Sequence, residues 1–171
     1  MKNFLKRHWP FASLILFAVL LLFDRVTKNW ASAALQDGPL VLIDGVFELH
    51  YLENTGAAWG TFQGMQWLFY ILTVVFIVLA LCEIVHLSRK SRYLPLVYTL
   101  IVILSGAVGN FIDRITQQFV VDFIYFKLIN FPIFNVADCC ITVSMALLVI
   151  LILFYYNNED LDYIIPGQKT E

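Results

Sequence analysis

Four long apolar runs constrain this chain more than any other feature. Residues 94–112 hold 19 consecutive positions without a charge, and residues 139–156 hold 18. Residues 67–82 are uncharged and run on to 85 past Glu83, while 9–23 are uncharged and continue into a mixed stretch, 24–35. A helix needs roughly 20 mostly apolar residues to cross a bilayer. Four such runs in 171 residues leave little else to fold, so the expected architecture is an all-α integral membrane protein. We place the spans at 10–30, 67–85, 94–112 and 139–156 of a single membrane-embedded domain, 1–171, with connecting segments 31–66 and 113–138.

Composition agrees with a lipid solvent. The chain is 60% hydrophobic and 14% charged, where a soluble domain runs at about 45–50% and about 25%. A net charge of −2 gives no basic footprint for nucleic acid. The three cysteines, Cys82, Cys139 and Cys140, include no C-x-x-C pair, so neither a disulfide framework nor a redox motif is expected. His8, His50 and His86 are scattered and offer no metal-ligand spacing. No nucleophile elbow and no phosphate-cradling glycine loop occurs.

Orientation follows from the basic residues in short loops. Lys2, Lys6 and Arg7 precede the first run, and Arg89, Lys90 and Arg92 lie between the second and third. Both places are expected in the cytoplasm, with an even number of spans returning the C-terminus there. The 31–66 segment has Asp37, Asp44, Glu48 and Glu53 but no Lys or Arg, and is expected outside. A basic start, an apolar run and "ASA" at 31–33 also suit a cleavable leader. Asp24, Arg25 and Lys28 stand between the run and that site, so a retained first helix is the expectation.

The outer segments carry the remaining structure. Asp44-Gly45 is a hairpin turn signal, and Phe47, Leu49 and Tyr51 alternate with Glu48 and His50, which predicts a small β-hairpin at the outer surface. It is followed by the irregular "ENTGAAWG", 53–60. Segment 113–138 is too charged to span and too apolar to float free, so we expect an interfacial segment.

Ionisable residues at membrane depth are costly and point to function. Here the polar candidates gather toward one face: Asp24, Lys28, Asn54, Asn110, Asp113, Arg114, Asp122, Asn135 and Asp138. Asp24 and Lys28 are spaced i, i+4, a self-neutralising pair on one helix face. Ser105, Gly106 and Gly109 let a neighbouring backbone approach, and Asn110 then needs a partner inside the bundle. Arg114 suits a carboxylate, with Asp113 the adjacent candidate. Asp138 stands where the fourth helix begins, as a helix N-cap would. Asp122, flanked by Val121 and Phe123, is either an interfacial side chain facing water or partly buried. Two carboxylates whose environments separate their pKa values can run acid and base chemistry together. A proton relay in a small transporter uses similar residues, but would place them near the midplane with access from both sides.

Taken in order, "DRVTK" (24–28), "NTGAAWG" (54–60), "GAVGNFIDR" (106–114), "VVDF" (120–123) and "FNVAD" (134–138) resemble one family, the bacterial lipoprotein signal peptidases, or type II signal peptidases. Trp59 stands where the family often has Phe, and Ser105 where Gly is frequent. The resemblance implies a multi-pass aspartic endopeptidase of the cytoplasmic (inner) membrane, with its active site at the outer surface. It implies removal of signal peptides from diacylglyceryl-modified prolipoproteins, cut just before the lipidated cysteine, with no metal or cofactor. The family's catalytic aspartates fall on Asp122 and Asp138. Its supporting or substrate-contacting positions fall on Asp24, Lys28, Asn54, Gly109, Asn110, Arg114 and Asn135. Membrane lipids are implied surroundings, and the cyclic peptide antibiotic globomycin an implied inhibitor.

Overall fold

The computed structural model describes residues 2–56 and 66–165, with side chains from His8 onward. Element order is α1 (Lys2–Ala34), β1 (Leu40–Ile43), β2 (Phe47–Asn54), α2 (Gln66–Leu87), α3 (Leu94–Gln117), β3 (Val120–Phe126), α4 (Val136–Ile150) and α5 (Asn158–Ile164). Four helical stretches are long and apolar enough to cross a membrane: His8–Ala34, Gln66–Leu87, Ser91–Gln117 and Val136–Tyr155. The protein is a multi-pass membrane protein. Residues 57–60 of the irregular stretch expected after the hairpin lie outside the described residues.

Central in the bundle is α3, which packs against α1, α2 and α4. Asn110 and Asp113, both buried, lie toward its C-terminal end. The outer helices turn their apolar side chains outward instead. Phe11, Leu14 and Leu22 of α1, and Leu72 and Leu79 of α2, are more than half exposed, as lipid-facing residues should be.

Close approach of α3 and α4 depends on Gly106. A Cβ there would collide with the Ala137 carbonyl oxygen and stand 2.9 Å from Ile141 Cγ1. The expected small-residue contact is therefore real, and its partner is the first turn of α4.

The three strands form one antiparallel sheet in the order β1-β2-β3. Val46 N–H donates to the Ile43 carbonyl across the Asp44-Gly45 turn at 3.0 Å, and Gly45 takes φ 68°, a conformation that suits glycine. The hairpin is thus where the sequence placed it. The 113–138 segment carries more regular structure than expected. The third helix continues to Gln117, ending at Gln118 in the left-handed region (φ 71°). Val120–Phe126, within the expected interfacial segment, then forms the third strand, pairing with β2. Its first four residues are buried in succession, so no alternating pattern marks it as a strand.

At the opposite end from the sheet, the acidic tail forms α5. Asn157 and Asp160 make a capping box at its start. Asp160 then pairs with Arg92 Nη2 at 2.9 Å and accepts from Tyr93 OH at 3.2 Å. Tyr163 stacks on the rings of His86 (4.6 Å) and Tyr93 (4.8 Å). This clasp joins the end of α2 to the start of α3.

A methyl group at residue 106 would press on the Ala137 backbone as well as the Ile141 side chain, so Gly106→Ala should cost about 1–3 kcal/mol of stability. Thermal unfolding of the detergent-solubilised protein should show a clear drop in Tm, and an unchanged Tm would refute the close α3–α4 contact.

Candidate active site

The site is built from the bottom up at the sheet end of the bundle, beginning with Lys28 on α1. This side chain is only 1% exposed, yet its ammonium has three acceptors. Asp24 Oδ2 and Asp113 Oδ2 lie at 2.9 Å, and Asn110 Oδ1 at 2.8 Å. One hydrogen bond to the amide oxygen and two close carboxylates offset the burial of this ammonium. The Asp24–Lys28 pair expected along one helix face is present. It is also larger than expected, because Asp113 joins it from α3 and Arg25 pairs with Asp113 from α1.

Asp24 also ties α1 to α4. Its Oδ1 accepts the Ala137 backbone N–H at 3.0 Å, in the first turn of α4, where a negative charge is favoured. Gly109 makes room for it: a Cβ at residue 109 would stand 2.6 Å from Asp24 Oδ2. That is the role the structure gives Gly109.

The α4 start corrects one expectation. Asn135, not Asp138, is the N-cap. Asn135 Oδ1 accepts the Asp138 N–H at 3.0 Å, and Asp138 Oδ2 accepts the Asn135 N–H at 3.1 Å, a reciprocal capping box. Asp138 therefore sits one helical turn in, with its carboxylate folded back toward the cap. Its other oxygen, Oδ1, accepts from Asn110 Nδ2 at 2.8 Å. Because Lys28 claims Asn110 Oδ1, the amide must present its NH2 group to Asp138.

Asp122 arrives from β3. Asn135 Nδ2 donates to its Oδ1 at 2.6 Å, and Asn54 Nδ2 donates to its Oδ2 at 2.8 Å. Asn54 is itself held at the end of β2, its Oδ1 accepting the Gly56 N–H at 3.0 Å. The register between β2 and β3 shifts between Leu49 and Leu52, just before the Leu52–Asp122 pair. Such irregularities re-aim side chains. Asn135 thus bonds both aspartates, Asp122 through its side chain and Asp138 through its backbone.

Both carboxylates line one cleft of about 590 Å³, with Asn54 and Arg114 on its polar wall and Phe131, Phe134 and Val143 among its apolar residues. Asp122 is 1% exposed. Burial, then the negative charge of Asp138, push its carboxyl up to about 7, against the opposing hydrogen bonds from Asn54 and Asn135. Of the two readings open in the sequence, partial burial is the one that holds. A buried carboxyl that gains or loses its proton near neutrality, facing a second carboxylate across a cleft, can exchange protons with a bound water or peptide.

Arg114 and Asp113 do not make the pair that the sequence had suggested. Neighbouring positions on a helix point apart, and Asp113 is turned to α1 while Arg114 faces the cleft. Its Nη2 donates to the Gly56 carbonyl at 3.3 Å, and its guanidinium lies over the Phe69 ring at 4.6 Å. Arg25 was missed by sequence reasoning, although its i, i+3 spacing from Lys28 placed it on the same helix face. Among the described residues no group of three or more His, Cys, Asp or Glu could hold a metal ion.

Comparison with known proteins identifies the family. A family model described as signal peptidase (SPase) II matches residues 16–154. The lipoprotein signal peptidase of Lactococcus lactis subsp. lactis (strain IL1403) is 44% identical over 142 residues, covering 82% of this chain and 93% of its own. That of Streptococcus thermophilus (strain CNRZ 1066) is 42% identical over 130 residues, covering 75% and 84%. A bacterial membrane enzyme structure determined by the in meso method at 2.3 Å superposes with a TM-score of 0.73 at 28% identity, over 94% of this chain and 93% of the other. With sequence, fold and coverage in agreement, this chain belongs to the signal peptidase II family.

Proposed function

We propose that this single membrane-embedded domain removes signal peptides from diacylglyceryl-modified prolipoproteins, with Asp122 and Asp138 as its catalytic dyad. The observation that carries the reading is the meeting of these two carboxylates in one cleft, joined through Asn135. The relatives at 44% and 42% identity are lipoprotein signal peptidases, which supports the substrate class.

In this mechanism the pair holds one proton. The ionised member takes a proton from a water positioned in the cleft, and that water attacks the carbonyl carbon before the lipidated cysteine. The protonated member hydrogen-bonds the developing oxyanion. Collapse of the tetrahedral intermediate breaks the C–N bond, and the leaving amine of the cysteine receives a proton from the dyad. Asn54, Asn110 and Asn135 fix the carboxylates, since each donates to one or both of them. Arg114, beside the dyad and the Gly56 carbonyl, is placed to orient the extended peptide. Asp24, Lys28 and Gly109 support the dyad from behind.

The lipid anchor explains why the site is at a membrane surface. A diacylglyceryl cysteine keeps its acyl chains in the leaflet, so the bond to be cut is held at the height of its glyceryl group. Lys2, Lys6, Arg7, Arg89, Lys90 and Arg92 belong to the end away from the sheet, which supports cytoplasmic termini and an outward-facing dyad in the bacterial inner membrane. Globomycin, a cyclic peptide, would compete for the same cleft.

Asp122→Asn and Asp138→Asn should each insert normally and lose about 10²–10⁴-fold in cleavage of a synthetic diacylglyceryl prolipoprotein. Normal turnover by either variant would remove that residue from catalysis. The pH dependence is a second test. Burial holds a proton on the dyad until pH rises through about 7, so cleavage should decline on the alkaline side there. An alkaline limb near the ordinary carboxylate value of about 4 would contradict the buried-dyad mechanism.

A further inference from the structure

Behind the dyad lie four charges that the mechanism itself does not use. Asp24 and Asp113 supply two negative charges, Lys28 and Arg25 two positive ones. Lys28, Asp24 and Asp113 are all but fully buried, while the Arg25 side chain is 26% exposed. The ammonium of Lys28 is shared between both carboxylates. It neutralises one of them, and Arg25 neutralises the other by pairing with Asp113. The cluster is only two hydrogen bonds from the reaction: Lys28 Nζ to Asn110 Oδ1 at 2.8 Å, then Asn110 Nδ2 to Asp138 Oδ1 at 2.8 Å.

We propose that Arg25 is a positioning residue for cleavage: by matching Asp113 it keeps this buried cluster at zero net charge, and so sets the pH range over which the dyad retains its proton. The proposal rests on the dyad reading above and extends it to a residue outside the cleft. Its physical basis is that a charge unmatched in a water-poor interior acts over many ångströms with little screening.

The other charged or titratable groups facing the dyad stay constant in the test. Arg114 approaches from α3 and Cys139 from α4, both lining the cleft. From β2 the facing group is the neutral Asn54, while the exposed Glu53 is bonded to Tyr51 OH at 3.0 Å. The cluster alone therefore changes charge.

Signs follow from simple arithmetic. Arg25→Gln leaves the cluster at −1, which favours the protonated dyad and moves the pH–activity profile upward. Asp113→Asn leaves it at +1 and moves the profile downward. The double variant returns to zero. At an effective dielectric near 20 and a separation of about 10 Å, each single shift should be roughly 1 pH unit. Arg25→Lys keeps the charge and should leave the profile in its native position.

The experiment measures cleavage of a diacylglyceryl lipopeptide by the full-length enzyme from pH 5 to 9, for the native protein and these four variants. Opposite shifts for the two single variants, with restoration in the double, are the expected result. Shifts in the same direction, no shift, or a double variant displaced beyond either single would overturn the proposal. If Arg25→Gln cannot be recovered folded, Asp113→Asn against Arg25→Lys carries the test, and a failure of Asp113→Asn to move downward refutes it. Infrared titration of the Asp122 carboxyl in the same variants reads the shift without substrate, so failure of the peptidase reading and failure of this one are told apart.

Discussion

Lys28 is a full ammonium buried among helices, and the sheet end of the bundle is arranged to make that tolerable. Removing such an ion from water costs several kcal/mol even after relaxation, and opposite charges and acceptors close by must offset it. Here they come from three places: Asp24 on the same helix, and Asp113 and Asn110 on α3. The ammonium therefore fixes how α1 meets α3. It also dictates which way the Asn110 amide points, and through that amide where Asp138 is held. Asp24 extends the constraint to α4 through the Ala137 N–H. One buried charge thereby aligns the three helices whose ends form the site.

The second constraint is a helix start that serves two purposes. A capping box ordinarily satisfies orphan N–H groups at a helix N-terminus. At α4 the box is made from Asn135 and Asp138, and both side chains retain atoms for other work. Asn135 spends its NH2 group on Asp122, and Asp138 offers its second oxygen to Asn110. The rigidity that a helix cap provides is passed on to the carboxylate pair. Asp122, in contrast, is aimed by the sheet, from a strand whose partner changes register beside it. A helix cap and a strand irregularity meet at one side chain, Asn135.

Much of this was legible in the sequence because bilayer physics is strict. Uninterrupted apolar runs fix the spans, and Asp44-Gly45 announces the hairpin. The Asp24–Lys28 pairing follows from helix periodicity, and the need of Asn110 for a partner from its burial. What escaped had no local signature. The strand Val120–Phe126 is buried along its first half on both faces, which erases the alternation that identifies strands. Asn135 and Asp138 are three residues apart in a pattern that fits a capping box, but the box replaces the usual Ser/Thr and Glu/Gln with Asn and Asp, so Asp138 passed for the cap itself. The α5 clasp was hidden in a tail that reads only as acidic, although Asn157 and Asp160 repeat the same box. Arg114 was turned from Asp113 by tertiary packing that sequence adjacency does not encode.

The proposed dyad depends on one electrostatic condition: burial and a second carboxylate push the Asp122 carboxyl up to about 7. Site-specific carbon NMR of the Asp122 carboxyl, in the native protein and in Asp138→Asn, measures that condition directly. The account predicts a midpoint near 7 that falls when the charge at residue 138 is removed. Titration near 4, indifferent to residue 138, would show two independent surface carboxylates and contradict it.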